Sequence, residues 1–421
     1  MNIKSEIILV IEGFKQCLNV APLPVISLII YMVLRSSSIF PDELVIEALS
    51  PQVAPKPHLW QPAYFGWYDL LLFFSIGFSF AFGYIKIPKP SLIFILILAL
   101  VIFLSFVHGL TFGYGLILDG LIYFVRFTFA FCLTVWLVKR VGNKATESLV
   151  IVLFLFLAIT ALFVYTLSYP QSLRMYASGM TTASFSQVAT IVCLLAFWRK
   201  YNLLLLVCLL FLALTFSKTS ILIFLCLILF QLKTKVLKIA KVGLFILLGV
   251  SGLIYFLGNL LGQHFFSFFT IYTNLEQILS LSGRTEIWAY AEHLLEIGQI
   301  PVLGLGFNAA SSLILSNNFY LLWNDFTYLV NTTYYYPPTF HSIWIEYGFG
   351  LGILSVIIFG LILKRIWQTF RYQCQPAFFI FTFFLLCQSI DFTFYRPKEV
   401  VIWSLILGLA EGQWRVKIEA H

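Results

Sequence analysis

Charged residues are scarce in this chain of 421 residues. Asp, Glu, Lys and Arg together make up 10% of it, whereas soluble domains average about 25%. This scarcity of charge excludes a soluble globular protein. Together with 61% hydrophobic residues, it also excludes an intrinsically disordered protein, which needs low hydrophobicity and high net charge. The mean hydropathy of +0.95 indicates a protein that crosses a membrane several times.

Other absences narrow this class. The apolar runs are long and continuous, without the short alternation of a membrane β-barrel, and therefore favour helices. The six histidines and seven cysteines lack the spacing of a metal site, so we expect no metal and no other cofactor. No small-residue cleavage site follows the first apolar run, and no internal repeat of fixed period occurs.

The apolar runs predict an all-α, polytopic membrane protein with about twelve transmembrane helices. The predicted spans are 18–34, 68–85, 91–107, 116–138, 148–168, 183–198, 202–216, 219–232, 239–258, 341–363, 376–395 and 399–414. Helices 1–9 thus occupy residues 1–258, a large loop occupies 259–340, and helices 10–12 with a tail occupy 341–421. The segment 35–67 contains five prolines, which exclude a regular helix through its middle.

The distribution of Lys and Arg predicts the orientation in the membrane. Eighteen of the 26 lie in one set of alternating segments, seven lie in the opposite set, and Arg126 lies within a span. Because cytoplasmic loops carry the excess of Lys and Arg, both termini are predicted to be cytoplasmic and the 259–340 loop periplasmic. The net charge of +8 is then a sorting signal, and nucleic acid is not an expected partner.

Three of the seven cations on the predicted outer side lie at the outer edge of the bilayer, against this bias: Arg174, Lys218 and Arg284. Two interpretations are open for each of them, a side chain that snorkels to lipid phosphate or a member of an anion site. Arg284 has a third, an ion pair with Glu286 at the start of a helix. Three such cations around one outer cavity would suit a diphosphate, since guanidinium groups bind phosphate oxygens bidentately.

Three further ionisable residues are candidates. His341 begins the predicted tenth span, where an imidazole either hydrogen-bonds to a neighbour or acts as a base, and Glu346 follows five residues later. Arg126 lies seven residues after Asp119 in the fourth span, about 10 Å further along the helix axis. The two cannot simply pair, so Arg126 is expected to face a cavity or a partner on another helix.

Several of these residues stand in an ordered series of motifs. The series is Thr215-Phe216-Ser217-Lys218-Thr219-Ser220, Ser282-Gly283-Arg284-Thr285-Glu286-Ile287-Trp288, Pro301 with Gly304-Leu305-Gly306, and His341-Ser342 leading into Glu346-Tyr347-Gly348. In this order, and with a large loop between spans nine and ten, the chain resembles the O-antigen ligase/polymerase family. The resemblance is strongest over about 170–360.

The resemblance implies a metal-independent glycosyltransferase with a glycosyltransferase C-like fold at the periplasmic face of the bacterial inner membrane. Its implied donor is a glycan on a polyprenyl diphosphate such as undecaprenyl diphosphate. The implied acceptor is another glycan or the lipid core of lipopolysaccharide. Membrane lipids and other polysaccharide assembly proteins are further implied partners.

Residue by residue, the resemblance assigns roles to individual side chains. Arg284 matches the arginine of the family's loop, and His341 matches the histidine tied to activation of the acceptor hydroxyl. Lys218 stands at an arginine position, where lysine keeps the charge but loses the planar fork. Arg174 matches a diphosphate-binding arginine by position alone. Independently of the resemblance, Arg126 and Glu346 are expected to support the site.

Alternatives remain open at this point. Polymerase and ligase share their chemistry, because the choice of acceptor depends on the shape of a cavity. A transporter of a small polar or anionic solute would use Asp119, Arg126 and Asp391 as a relay, but the sequence lacks matched broken helices and the long loop would be unexplained. A non-catalytic scaffold for glycan assembly is the third class, and it should tolerate His341→Ala.

Overall fold

The computed structural model describes residues 3–34, 67–86, 88–110, 117–168, 175, 177, 180, 182–215, 217–231, 354–390 and 397–419. Helices make up 92% of the structure, and the described residues contain no strand. The prediction of an all-α fold is therefore confirmed for this part of the chain.

Twelve helices occupy the described ranges. They are α1 (Ile3–Val20), α2 (Pro22–Leu34), α3 (Trp67–Ala81), α4 (Lys89–Leu110), α5 (Ile117–Val141), α6 (Asn143–Ser168), α7 (Thr182–Arg199), α8 (Asn202–Thr215), α9 (Lys218–Gln231), α10 (Leu354–Arg371), α11 (Gln375–Ile390) and α12 (Pro397–Glu419). A helix is present at each predicted span that the structure describes. The predicted ninth span, 239–258, and the 259–340 loop lie outside the described residues.

Two of the described helices are long and apolar enough to cross a membrane, Ile122–Val141 and Asn143–Thr166. A third span is obtained if Lys4–Val20 and Pro22–Val33, which meet at a bend of 118°, are taken together. Shorter apolar helices of 10–17 residues account for much of the remainder. The described helices thus have the character of membrane spans, while the presence of twelve transmembrane spans stays a prediction.

The first predicted span, 18–34, is interrupted at Ala21, where the sequence indicated a continuous helix. Pro22 begins α2, because proline is favoured at the first position of a helix, where its missing N–H costs nothing. As a result, α1 turns away from α2 and packs against the starts of α6 and α8. Its Glu6 carboxylate accepts hydrogen bonds of 2.9 and 3.0 Å from the first two backbone amides of α8.

The centre of the bundle is α12, of which residues 398–414 are all buried. It packs most closely against α5. A Cβ atom at Gly408 would lie 2.6 Å from the carbonyl oxygen of Phe131, and one at Gly412 would lie 2.7 Å from Cβ of Val138. Small residues are needed at both positions, because they let two helix backbones approach this closely within a membrane.

Candidate functional site

Two groups of contacts between polar side chains lie near opposite ends of α7. In α7, Ser186 and Gln187 belong to one group and Arg199 belongs to the other. Twelve residues of α-helix separate Gln187 from Arg199, a distance of about 18 Å along the axis. We call the first group the outer-end group and the second the inner-end group, after the sides that the Lys and Arg distribution predicts.

A buried ion pair joins α3 and α5. Arg126 Nε donates to Asp69 Oδ1 at 2.8 Å, and the two side chains are 2% and 0% exposed. The sequence predicted that Arg126 faces either a cavity or a partner on another helix, and the structure shows the second, a partner on α3. Sequence reasoning did not single out Asp69, although an acid at the start of a long apolar run was the available signal.

The outer-end group, which includes Ser186 and Gln187, joins α7 to α9 and α11. The hydroxyls of Ser186 and Ser220 lie 2.7 Å apart, and Ser217 Oγ donates to Ser220 Oγ at 3.1 Å. Gln388 Nε2 donates to Gln187 Oε1 at 3.2 Å, and both amides are buried. Sequence reasoning missed this pair; its signal was a glutamine within each of two apolar spans, where a polar side chain needs a partner.

The turn between α8 and α9 lies beside these contacts. Lys218 is the first residue of α9, although its side chain is not among those described. Met175, which follows Arg174 in the sequence, is buried and donates its backbone N–H to the carbonyl oxygen of Leu214 at 3.0 Å. The chain next to Arg174 is therefore attached to the last turn of α8, four residues before Lys218.

The remaining predicted site residues lie outside the described part of the chain: Arg174, Arg284, His341, Glu346 and Asp391. Asp119 belongs to α5, but its side chain is not described. Among the predicted site residues, Arg126 is therefore the one whose side-chain contacts the structure describes. Within the described residues, no three His, Cys, Asp or Glu side chains converge on a common point that could hold a metal ion.

The inner-end group connects helix ends that the Lys and Arg distribution assigns to the cytoplasm. Arg199 donates to both carboxylate oxygens of Glu147, at 2.5 and 2.9 Å, and Gln413 Nε2 donates to the same carboxylate at 2.7 Å. Burial raises the pKa of the nearby Tyr201 phenol, an effect that Arg199 opposes and the Glu147 carboxylate reinforces. An exposed pair, Lys139 with Glu419, links the ends of α5 and α12.

These helices and polar groups define a helical membrane protein with ionisable groups buried between its helices. Residues 203–360 match the family model of the O-antigen ligase. The resemblance to the O-antigen ligase/polymerase family that the motifs indicated is thus confirmed over this range. The matched residues include Lys218, Arg284 and His341. No curated protein matches the chain.

Proposed function

We propose that this protein is a membrane glycosyltransferase that transfers or polymerises a polyprenyl-diphosphate-linked glycan at the periplasmic face of the bacterial inner membrane. The family match over residues 203–360 supports membrane glycan processing of the O-antigen ligase or polymerase type. Both termini are placed in the cytoplasm in this proposal.

The observation that carries the proposal is the attachment of Met175 to Leu214. It ties the segment that follows Arg174 to the turn that begins with Ser217 and Lys218. The residue after Arg174 is thereby attached to the last turn of α8, four positions before Lys218, although Arg174 and Lys218 are 44 positions apart in the sequence. Arg284 would complete the site from the large loop.

The buried contacts beside this turn support a preorganised site. Ser220 bonds to α7, and α7 bonds to α11 through Gln187 and Gln388. Hydrogen bonds of this kind hold a helix start in one position, and rigid placement of charges is what stabilises a developing anion in catalysis. The start of α9 is therefore a suitable support for a cation that binds the leaving diphosphate.

In the proposed reaction, the oxygen of an acceptor hydroxyl attacks the anomeric carbon of the donor glycan. The bond from that carbon to the diphosphate oxygen breaks, and the diphosphate leaves with the electron pair. His341 accepts the hydroxyl proton, while Arg174, Lys218 and Arg284 stabilise the charge of the leaving diphosphate. Attack opposite the leaving group inverts the anomeric centre, and no step requires a metal ion. Arg126 and Glu346 support the site.

The proposal is tested by expressing variants in a strain that lacks the protein and analysing its surface glycan on gels. We expect His341→Ala and Arg284→Ala to abolish glycan transfer at normal protein levels, because a general base contributes about 10²–10⁴-fold and an electrostatic stabiliser about 10²–10³-fold. His293→Ala, a histidine substitution in the predicted loop that contains Arg284, is the matched control and should keep full transfer. Transfer by His341→Ala at the control level would refute the catalytic assignment.

The same strain distinguishes the two activities. Loss of a polymerase leaves surface glycan with a single repeat, whereas loss of a ligase leaves long chains on the polyprenyl carrier. Repeating the transfer with purified protein in the presence of a chelator tests metal independence. Activity that disappears with the chelator and returns with Mg²⁺ would contradict the proposed mechanism.

A further inference from the structure

A cationic cavity opens between α4, α10 and α12, at the opposite end of the bundle from the proposed diphosphate site. Its volume is about 330 Å³. Its polar wall contains Lys364, Arg365 and Arg415, and its apolar wall contains Ile93 and Ile97. The proposed glycan transfer makes no use of any of these residues.

The charges around the cavity do not balance. Glu411 is fully buried and binds both guanidinium groups: its Oε2 lies 2.8 Å from Arg365 Nε, and its Oε1 accepts a 3.1 Å hydrogen bond from Arg415 Nε. Ser91 also donates to Glu411 Oε1, at 2.9 Å. One carboxylate thus faces two guanidinium groups, and the exposed Lys364 adds a third positive charge. The cavity therefore carries two positive charges that no described acid balances.

Aromatic rings hold the two guanidinium groups in place. The Cζ atom of Arg365 lies 4.4 Å from the centroid of the Phe94 ring and 4.5 Å from that of Trp414. The Cζ atom of Arg415 lies 4.1 Å from the centroid of the same Trp414 ring. In addition, Arg365 Nη1 donates to Gln368 Oε1 at 2.7 Å. Among the described residues, none accepts a hydrogen bond from the terminal amino groups of Arg415, so these donors remain for a ligand.

The apolar wall extends from the cations toward the middle of the helices. Ile93 and Ile97 lie one turn apart on α4 and are 57% and 38% exposed. On α10, Leu361 precedes Lys364 and Arg365 by one turn, on the side away from the helix end. Positive charge at the helix ends followed by apolar surface along the helices is the arrangement that matches a lipid with an anionic headgroup.

We infer that this cavity binds an anionic phospholipid of the predicted cytoplasmic leaflet. The phosphate lies against Arg415 and Lys364, and the acyl chains follow Ile93 and Ile97. A free phosphate would use the cations but leave the apolar wall exposed, so the lipid accounts for both halves of the cavity. The inference requires no glycan donor and does not depend on the proposed function.

Native mass spectrometry of the purified protein in detergent tests this site. The probes are phosphatidylglycerol and phosphatidylcholine with identical acyl chains, and phosphatidylglycerol should bind more tightly. Arg415→Gln and Lys364→Gln should each weaken phosphatidylglycerol binding by about fivefold, the effect of one Lys or Arg beside an anionic lipid. Because Lys364 is exposed, its substitution tests the site even if Arg415→Gln does not fold.

Lys417→Gln is the matched control, since Lys417 is an exposed lysine at the same end of α12 but outside the cavity lining. Its phosphatidylglycerol binding should equal that of the unmodified protein. Equal binding of the two lipids, or an equal loss in the control, would overturn the inference. Displacement of the lipid by glycerol 3-phosphate at the same concentration would show a small-anion site and would also overturn it. Glycan transfer is not part of the readout, so failure here leaves the proposed function unaffected.

Discussion

The Arg126–Asp69 pair allows a quantitative test of how the helices are held together. At a separation of 2.8 Å and an effective dielectric constant of about 20, the two charges attract each other by about 6 kcal/mol. Burial of both side chains excludes screening by water, but it also makes either charge costly when the other is removed. We therefore expect Arg126→Met to lower the free energy of unfolding by about 3–5 kcal/mol.

Removing the second charge should reverse much of this loss. Asp69→Asn in the Arg126→Met background leaves no buried charge at this position, so the double variant should recover about 2 kcal/mol. The measurement is unfolding of the purified protein by sodium dodecyl sulfate in mixed micelles. The control is Lys139→Met, which breaks the pair with Glu419, whose side chains are 51% and 50% exposed. That change should cost about 0–1 kcal/mol.

Two outcomes would contradict this reasoning. Arg126→Met could unfold as readily as Lys139→Met, or the double variant could lose the sum of the two single losses. Glycan transfer by the double variant then decides the role of Arg126. Transfer that returns together with stability assigns Arg126 to the packing of α3 against α5. Transfer that stays lost in a restored fold assigns it to the support of the site.

Two further substitutions test the packing of the described helices by the same unfolding measurement. Glu6→Ala removes the carboxylate that caps α8 and should cost about 1 kcal/mol, whereas an unchanged free energy of unfolding would show that the cap does not contribute. Gly408→Leu places a side chain against the Phe131 backbone and should cost about 1–3 kcal/mol, with Gly360→Leu as the control, since a Cβ there meets no atom within 4 Å. Equal effects of the two glycine substitutions would refute the close packing of α12 on α5.

The positions of the helices could be predicted because hydropathy is a local property. Each apolar run can be recognised from about 20 consecutive residues without knowledge of its neighbours. Hydropathy did not predict that the helix is divided at Ala21, since Pro22 is compatible both with a helix start and with a kink inside one span. Only the packing of α1 on α6 and α8 selects the first alternative.

Partners between helices could not be predicted in the same way. The sequence placed Arg126 at membrane depth and indicated that it needs a partner, yet nothing in its spacing identifies Asp69, 57 positions away. Gln187 and Gln388 are separated by 201 positions, and only the packing of α7 with α11 brings them together. Motif order, by contrast, was sufficient to indicate the family, because it does not depend on packing.

The contacts of α1 impose an order on biosynthesis. This helix leaves the ribosome before its partners, because Cys17 hydrogen-bonds to Ala145, 128 positions later, and Glu6 hydrogen-bonds to the start of α8, 196 positions later. At about 5–20 residues per second, the second partner is synthesised about 10–40 s after Glu6. During that interval α1 lacks this contact, so its docking on α8 can follow only after the eight described helices α1 to α8 have been synthesised.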